Sequence, residues 1–170
     1  MPLYFAYGSN MDAGAMARRC PASKPLGPAR LVRHRFLVNT DGYATVARDP
    51  RCTVWGLLFD LALGDVPALD RYESLSTGLY SKLVQPVLSA DGPKRALVYI
   101  GRSGKPGPPR PGYMEPVVAA AQAIGAPAGY LRELESWLPV VRPAASLEPA
   151  APRVWPIWSA PATARRRETL

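Results

Sequence analysis

The chain has 170 residues, a net charge of +8 from 21 Lys and Arg against 13 Asp and Glu, and an apolar share of 48%. That length suits one domain with a real core, or one domain plus a tail. No apolar run approaches the roughly 20 residues that span a bilayer, no basic segment precedes the first apolar stretch, and Cys20 and Cys52 make neither a disulfide framework nor a metal spacing. No membrane association is expected, and the setting is a reducing, cytoplasmic one. The positive charge is read as compositional, because Arg, Ala and Pro are all abundant and the Arg residues are scattered and not interleaved with aromatics, so no nucleic-acid partner is expected. Arg165-Arg166-Arg167 reads as a solvated terminus.

Residues 2–7 read as an apolar first strand that stops at Gly8-Ser9-Asn10, and Asp12 can cap a short helix to Arg18. Residues 21–28 read as a Pro/Gly-punctuated loop. Strands are expected from Arg30 to Asn39 and from Tyr43 to Ala47 around an Asp41-Gly42 turn. Asp49-Pro50 reads as a further turn, and residues 53–63 as a central strand buried on both faces. Asp65 is expected to cap a short helix through its side chain, with Pro67 in the first turn and a stop at Ser76-Thr77-Gly78. Leu79 to Leu88 and Arg95 to Ile100 read as a hairpin about Asp91-Gly92, with Pro86 demanding an edge or a bulge. Residues 101–112 form a long Gly/Pro-rich loop that is either functional or mobile. Two helices follow, the first with Val117, Ala121 and Ile124 on one face, the second opened by Pro127 with Leu131, Leu134 and Leu138. The domain is placed at 1–142. Residues 143–170 read as a Pro/Ala-rich tail, partly disordered or packed back through Trp155 and Trp158. About six strands, mostly in hairpins, and three or four short helices give an α+β fold around a small, largely antiparallel sheet or barrel.

The chemistry available is narrow. The single histidine, His34, excludes a multi-His metal site, and there is no nucleophile elbow, P-loop or dinucleotide fingerprint. No metal and no cofactor are expected. The strand-to-helix turn at Gly8, Ser9 and Asn10 leaves backbone N–H groups free to meet a carboxylate or a developing oxyanion. A carboxylate is left as the acid/base group, and Glu73 at the end of the Asp65 helix is the candidate, because a solvated Glu there opposes the helix dipole. Asp70 is the second candidate.

Tyr4-Phe5-Ala6-Tyr7-Gly8-Ser9-Asn10-Met11 resembles the opening strand and loop of the γ-glutamylcyclotransferase family, including its AIG2-like branch. Leu69-Asp70-x-x-Glu73 with Gly78-x-Tyr80-x-Lys82 resembles that family's Asp-x-x-Glu segment, and Pro111-Gly112-Tyr113 with the two helices around Gly125-Ala126-Pro127 is a weaker match. The resemblance runs from residue 3 to about residue 138. It implies a small mixed, mostly antiparallel β-barrel flanked by short helices, a cavity at the first loop, and Glu73 as acid/base. It implies release of 5-oxoproline from a γ-glutamyl amine or γ-glutamyl amino acid without a cofactor, since the substrate's own α-amine attacks. Gly8, Ser9 and Asn10 would bind substrate through their amides, and Tyr7, Tyr80 and Tyr113 would line the pocket. Ser74 follows Glu73 where the family usually has Gly. A non-catalytic module binding a small acidic metabolite on the same fold is the alternative, and pairing as a homodimer is left open.

Overall fold

A computed structural model describes residues 2–138 of the chain. The tail beginning at residue 143, with Trp155 and Trp158, lies outside these residues, as does the end of the 1–142 domain. The elements are β1 (Leu3–Ala6), α1 (Ala13–Arg19), β2 (Lys24–Val38), β3 (Ala44–Asp60), α2 (Val66–Tyr72), β4 (Tyr80–Ser89), β5 (Gly92–Gly101), α3 (Met114–Ala123) and α4 (Ala128–Glu135), with short 3-10 turns at Ser9–Met11, Leu63–Asp65 and Leu75–Thr77.

The five strands close into a barrel in the order β1-β3-β2-β4-β5. Every pairing is antiparallel except the closure, where β1 runs parallel to β5 with Leu3 opposite Ala96 and Tyr4 opposite Leu97. That closure gives β1, only four residues long, a neighbour on each side and makes it the staple of the barrel. The core is continuous: Phe5, Leu31, Val54, Phe59 and Tyr99 from the strands join Val117, Ala121 and Leu134 from α3 and α4. Burial of this kind contributes about 1.5–3 kcal/mol for each large apolar side chain.

Three expectations are corrected. The stretch 21–28 is not all loop, since β2 begins at Lys24. Its prolines are tolerated because the far edge of β2 meets β4 only at Ala29 and Arg30, and a register shift lies between Pro25 and Gly27. Asp49-Pro50 does not separate two strands, so the described residues hold five strands and not six. Residues 49–52 loop out of the β2–β3 ladder opposite Arg33 alone, with Arg33 left-handed at φ 58° and Asp49 accepting from the Arg51 amide over 3.0 Å. Asp65 does not cap α2 with its side chain. Its backbone is already helical, at φ −86° and ψ −17°, and its carboxylate accepts from the Ala22 amide and the Ser23 hydroxyl, tying the start of α2 to the end of α1.

Other expectations hold. Asp12 caps α1, accepting from the Gly14 and Ala15 amides. Pro86 lies opposite Arg95 of β5, short of the two-residue contact between β4 and β2. Ile124 and Gly125, the latter at φ 72°, end α3. The 101–112 loop is pinned to the β2–β3 hairpin by an Asn39–Pro106 bridge and by the Gly107 and Arg110 amides, which donate to the carbonyls of Val38 and Gly42. It thereby delivers Tyr113 to the mouth of the barrel.

Candidate active site

A cavity of about 160 Å³ opens at the end of β1. Tyr7, Gly8, Ser9, Asn10, Glu73, Tyr80 and Tyr113 all line it, together with Tyr4, Tyr43, Tyr72 and Tyr99. Strands β1, β3, β4 and β5, the end of α2 and the loops that carry Tyr7 to Asn10, Tyr43 and Tyr113 therefore converge on one hollow.

The first wall follows from the local sequence. After β1 the chain turns at Gly8, the Met11 amide closes a 3-10 turn on the Gly8 carbonyl over 2.9 Å, and Gly8, Ser9 and Asn10 all line the hollow. The turn is tightly packed at Gly8: a Cβ there would sit 3.2 Å from both the Tyr113 hydroxyl and the Ala44 Cβ. Asn10 is buried. Its Nδ2 donates to Glu73 Oε1 over 2.7 Å and to the Tyr4 hydroxyl over 3.0 Å, while its Oδ1 accepts from Arg19.

Glu73 caps the C-terminal end of α2, where Tyr72 is the last helical residue and Ser74 turns left-handed at φ 50° and ψ 43°. That reversal aims the Glu73 side chain into the hollow. The carboxyl is only half-buried by exposure because it faces the cavity, but protein atoms crowd its other sides. Desolvation pushes its pKa from 4.5 up to about 7, against the opposing pull of the Arg19 charge and the hydrogen bonds of Tyr4 and Asn10. A carboxylate so poised both accepts and returns a proton near neutrality.

The tyrosines form the remaining walls. Burial raises Tyr4 and Tyr7 well above the ordinary tyrosine value, and it raises Tyr80 and Tyr99 too. Burial pushes Tyr113 up to about 12, against donation from the Ala44 and Ser9 backbones. The Tyr80 hydroxyl donates to the Ala44 carbonyl over 2.7 Å, and the Tyr113 hydroxyl accepts from the Ala44 amide over 3.1 Å, so one residue of β3 holds two rings. Tyr7 donates to the Tyr99 carbonyl, and the Tyr99 hydroxyl donates to Asp70. Asp70 also pairs with Lys82 at 2.8 Å. Burial alone would raise the Asp70 carboxyl, but the hydrogen bonds of Lys82 and Tyr99 and the Lys82 charge together hold it below the usual carboxylate range. Asp70 thus anchors the tyrosine frame and stays ionised.

Sequence reasoning does not single out Tyr4, Tyr43, Tyr72, Tyr99 or Arg19 for the site. Tyr4 is legible as a polar tip on an otherwise apolar strand. Tyr99 reaches the cavity only because β5 closes on β1, a pairing with no local signal. His34 stays out of the site, buried in β2 with Nδ1 2.8 Å from the Val32 carbonyl. Among the described residues no three His, Cys, Asp or Glu side chains gather as metal ligands, and no helix is long and apolar enough to cross a membrane.

The AIG2-like family model matches residues 53–134, a span that includes Glu73, Tyr80 and Tyr113 but not the first loop. The human γ-glutamylcyclotransferase is 26% identical over 145 residues, covering 79% of this chain and 77% of its own, and the bovine enzyme aligns with the same figures. A solved γ-glutamyl cyclotransferase structure superposes with a TM-score of 0.74 at 26% identity, covering 81% of this chain and 88% of that one. The Bacillus subtilis protein YkqA shares the fold, with a TM-score of 0.68 at 20% identity, over 79% of this chain and 53% of its own. In barrel, in relatives and in family match, the chain is γ-glutamylcyclotransferase-like, with an AIG2-like segment at its centre.

Proposed function

We propose that the protein cleaves a γ-glutamyl amine or γ-glutamyl amino acid and releases 5-oxoproline, with Glu73 as the group that moves the proton. The α-ammonium of the substrate loses a proton to the Glu73 carboxylate. The freed amine attacks the γ-carbonyl carbon, forming the ring C–N bond. Glu73 returns that proton to the leaving nitrogen as its bond to carbon breaks, and the second proton of the ring nitrogen passes by the same carboxylate to the departing amine, so the products are 5-oxoproline and an ammonium, and no water is consumed. Attack within one molecule makes positioning a large share of the acceleration.

Gly8, Ser9 and Asn10 serve as the amide cradle for the oxyanion or the substrate carboxylate. Tyr7, Tyr80 and Tyr113 hold the glutamyl chain: the Tyr113 hydroxyl, which accepts from the Ala44 amide, keeps its hydrogen to donate, while those of Tyr7 and Tyr80 are committed to backbone carbonyls and offer only lone pairs. The substrate is the one partner required, in a cytoplasmic setting, without membrane or nucleic acid. The observation that carries this reading is the 2.7 Å contact between Asn10 and a Glu73 carboxyl poised near pH 7 inside a cavity that the first loop lines.

The test is incubation with a panel of γ-glutamyl compounds and chromatographic detection of 5-oxoproline. Glu73→Gln, which keeps the shape but cannot cycle a proton, is expected to lower kcat by about 10²–10⁴-fold. Undiminished turnover in that variant overturns the role of Glu73. Binding of 5-oxoproline by the wild type without turnover of any substrate assigns the pocket to the non-catalytic module instead.

A further inference from the structure

Arg19 ends α1 and is one of two arginines in the helix's last turn, where a cation is favoured whatever its function. The two differ in surroundings: Arg18 is exposed, and Arg19 is half-buried against the cavity wall. The Arg19 guanidinium donates to Asn10 Oδ1, and its central carbon lies 3.3 Å from the centre of the Tyr72 ring. Tyr72 in turn shares a 3.0 Å hydrogen bond between its hydroxyl and Ser9 Oγ.

These contacts bear on Glu73 from two sides. A carboxamide has one accepting and one donating end, and either can face a neighbour. With Arg19 on Oδ1, only Nδ2 is left for Glu73, and the reversed amide would set two oxygens against each other. On the other side, the stacked ring belongs to the residue just before Glu73 in the chain. We infer that Arg19 is a positioning residue of the reaction, orienting Asn10 toward Glu73 and clamping Tyr72 so that the carboxyl keeps its aim. This rests on the proposed role of Glu73.

Among the described residues Arg19 is also the one cation acting on Glu73. Tyr4 and Tyr7 from β1, Tyr80 from β4, Tyr99 from β5 and Tyr113 ahead of α3 all titrate above the assay range, and Asp70 is ionised against Lys82. The acidic limb of a pH–rate profile is therefore Glu73's own.

The experiment compares full-length wild type with Arg19→Met, Arg19→Lys and the control Arg18→Met. It measures kcat and KM across pH and follows the Glu73 carboxyl by infrared spectroscopy with labelled glutamate, subtracting Glu73→Gln. Arg19→Met is expected to lower kcat about 10–100-fold, as misplacement of a catalytic group does, with KM changed less than about threefold. Its acidic limb and its Glu73 titration are expected to move up together by about one pH unit. Arg19→Lys keeps the charge but loses the planar fork, so its limb stays near the wild-type position while kcat falls about tenfold. Arg18→Met matches wild type. A wild-type kcat and limb in Arg19→Met, or a lowered melting temperature with the limb in place, overturns the inference. If Arg19→Met does not fold, a wild-type kcat in Arg19→Lys overturns it. If wild type releases no 5-oxoproline, the functional reading fails, and the infrared titration still reports whether Arg19 holds Glu73.

Discussion

Asn10 Nδ2 lies 2.7 Å from Glu73 Oε1, although the two residues are 63 positions apart. A neutral donor against a desolvated carboxyl stabilises the ionised form, so it lowers a pKa that burial raises. Asn10→Ala removes that donor and also the one from which the Tyr4 hydroxyl accepts. The expected outcome is a fall in kcat/KM of about 10–100-fold and a more alkaline acidic limb, measured as 5-oxoproline release against pH. An unmoved limb would show that the amide only packs.

That contact also marks how far the sequence can be read. Tyr7-Gly8-Ser9-Asn10 is a strand ending in a turn, and its exposure of amides follows from local geometry. Glu73 is legible as a carboxylate badly placed for its helix. Asn10 is legible only through its backbone, yet it is the side chain that reaches Glu73, with its far end held by Arg19 from the end of α1. Arg19 itself looks like an ordinary helix-end charge. Asp49-Pro50 looks like a strand break because turn chemistry does not reveal that the ladder resumes beyond it, with Thr53 opposite Val32. Tyr99 becomes visible only through barrel closure. Short-range signals name the chemistry, and long-range pairing supplies its frame.

The same burial that poises Glu73 costs stability. Its pKa rises from the ordinary glutamate value of 4.5 to about 7 in the folded protein. Between these values the folded state binds more protons than the unfolded chain, so stability falls as pH rises through this window. The full effect stands above pH 7 and vanishes below about 4.5. Its size is about 1–3 kcal/mol, the low end allowing for the solvent that reaches the cavity. Glu73→Gln removes the ionisation. It is expected to raise the melting temperature by a few degrees at pH 8 and by little at pH 5, read by calorimetry. An equal change at both pH values would show that Glu73 is solvated in the folded protein.

Two glycines separate fold from function. A Cβ on Gly56 would lie 2.2 Å from the Ala6 carbonyl oxygen and 2.7 Å from Phe5 Cζ, so Gly56→Ala forces β1 off β3. It is expected to cost more than about 2 kcal/mol by urea titration. At Gly8 the added Cβ needs only a few tenths of an ångström from the Tyr113 hydroxyl and Ala44. Gly8→Ala is expected to keep its urea midpoint nearly unchanged while activity falls about tenfold, because the first loop and Tyr113 shift at the cavity. Similar activity losses at equal stability for both variants would contradict this division.

Ser74 turns the chain out of Glu73 in a left-handed conformation, at φ 50° and ψ 43°, that costs a residue with a Cβ about 1–2 kcal/mol. Its carbonyl accepts from the Thr77 amide and hydroxyl, and more weakly from the Leu79 amide at 3.4 Å, so the surrounding turn enforces the conformation. Ser74→Gly relieves the strain but gives the unfolded chain more freedom, for a net gain of up to about 1 kcal/mol. Turnover is expected to stay within about twofold of wild type, because Gly adopts the same left-handed conformation and leaves the turn, and with it Glu73, in place. Ser74→Val places a β-branched residue in the same conformation. It is expected to lose about 1–2 kcal/mol and to lower kcat at least tenfold as the turn relaxes and carries Glu73 with it. Urea midpoints and 5-oxoproline rates for the pair check both halves, and a Val variant as active and as stable as the Gly variant would mean that the turn does not aim the carboxyl.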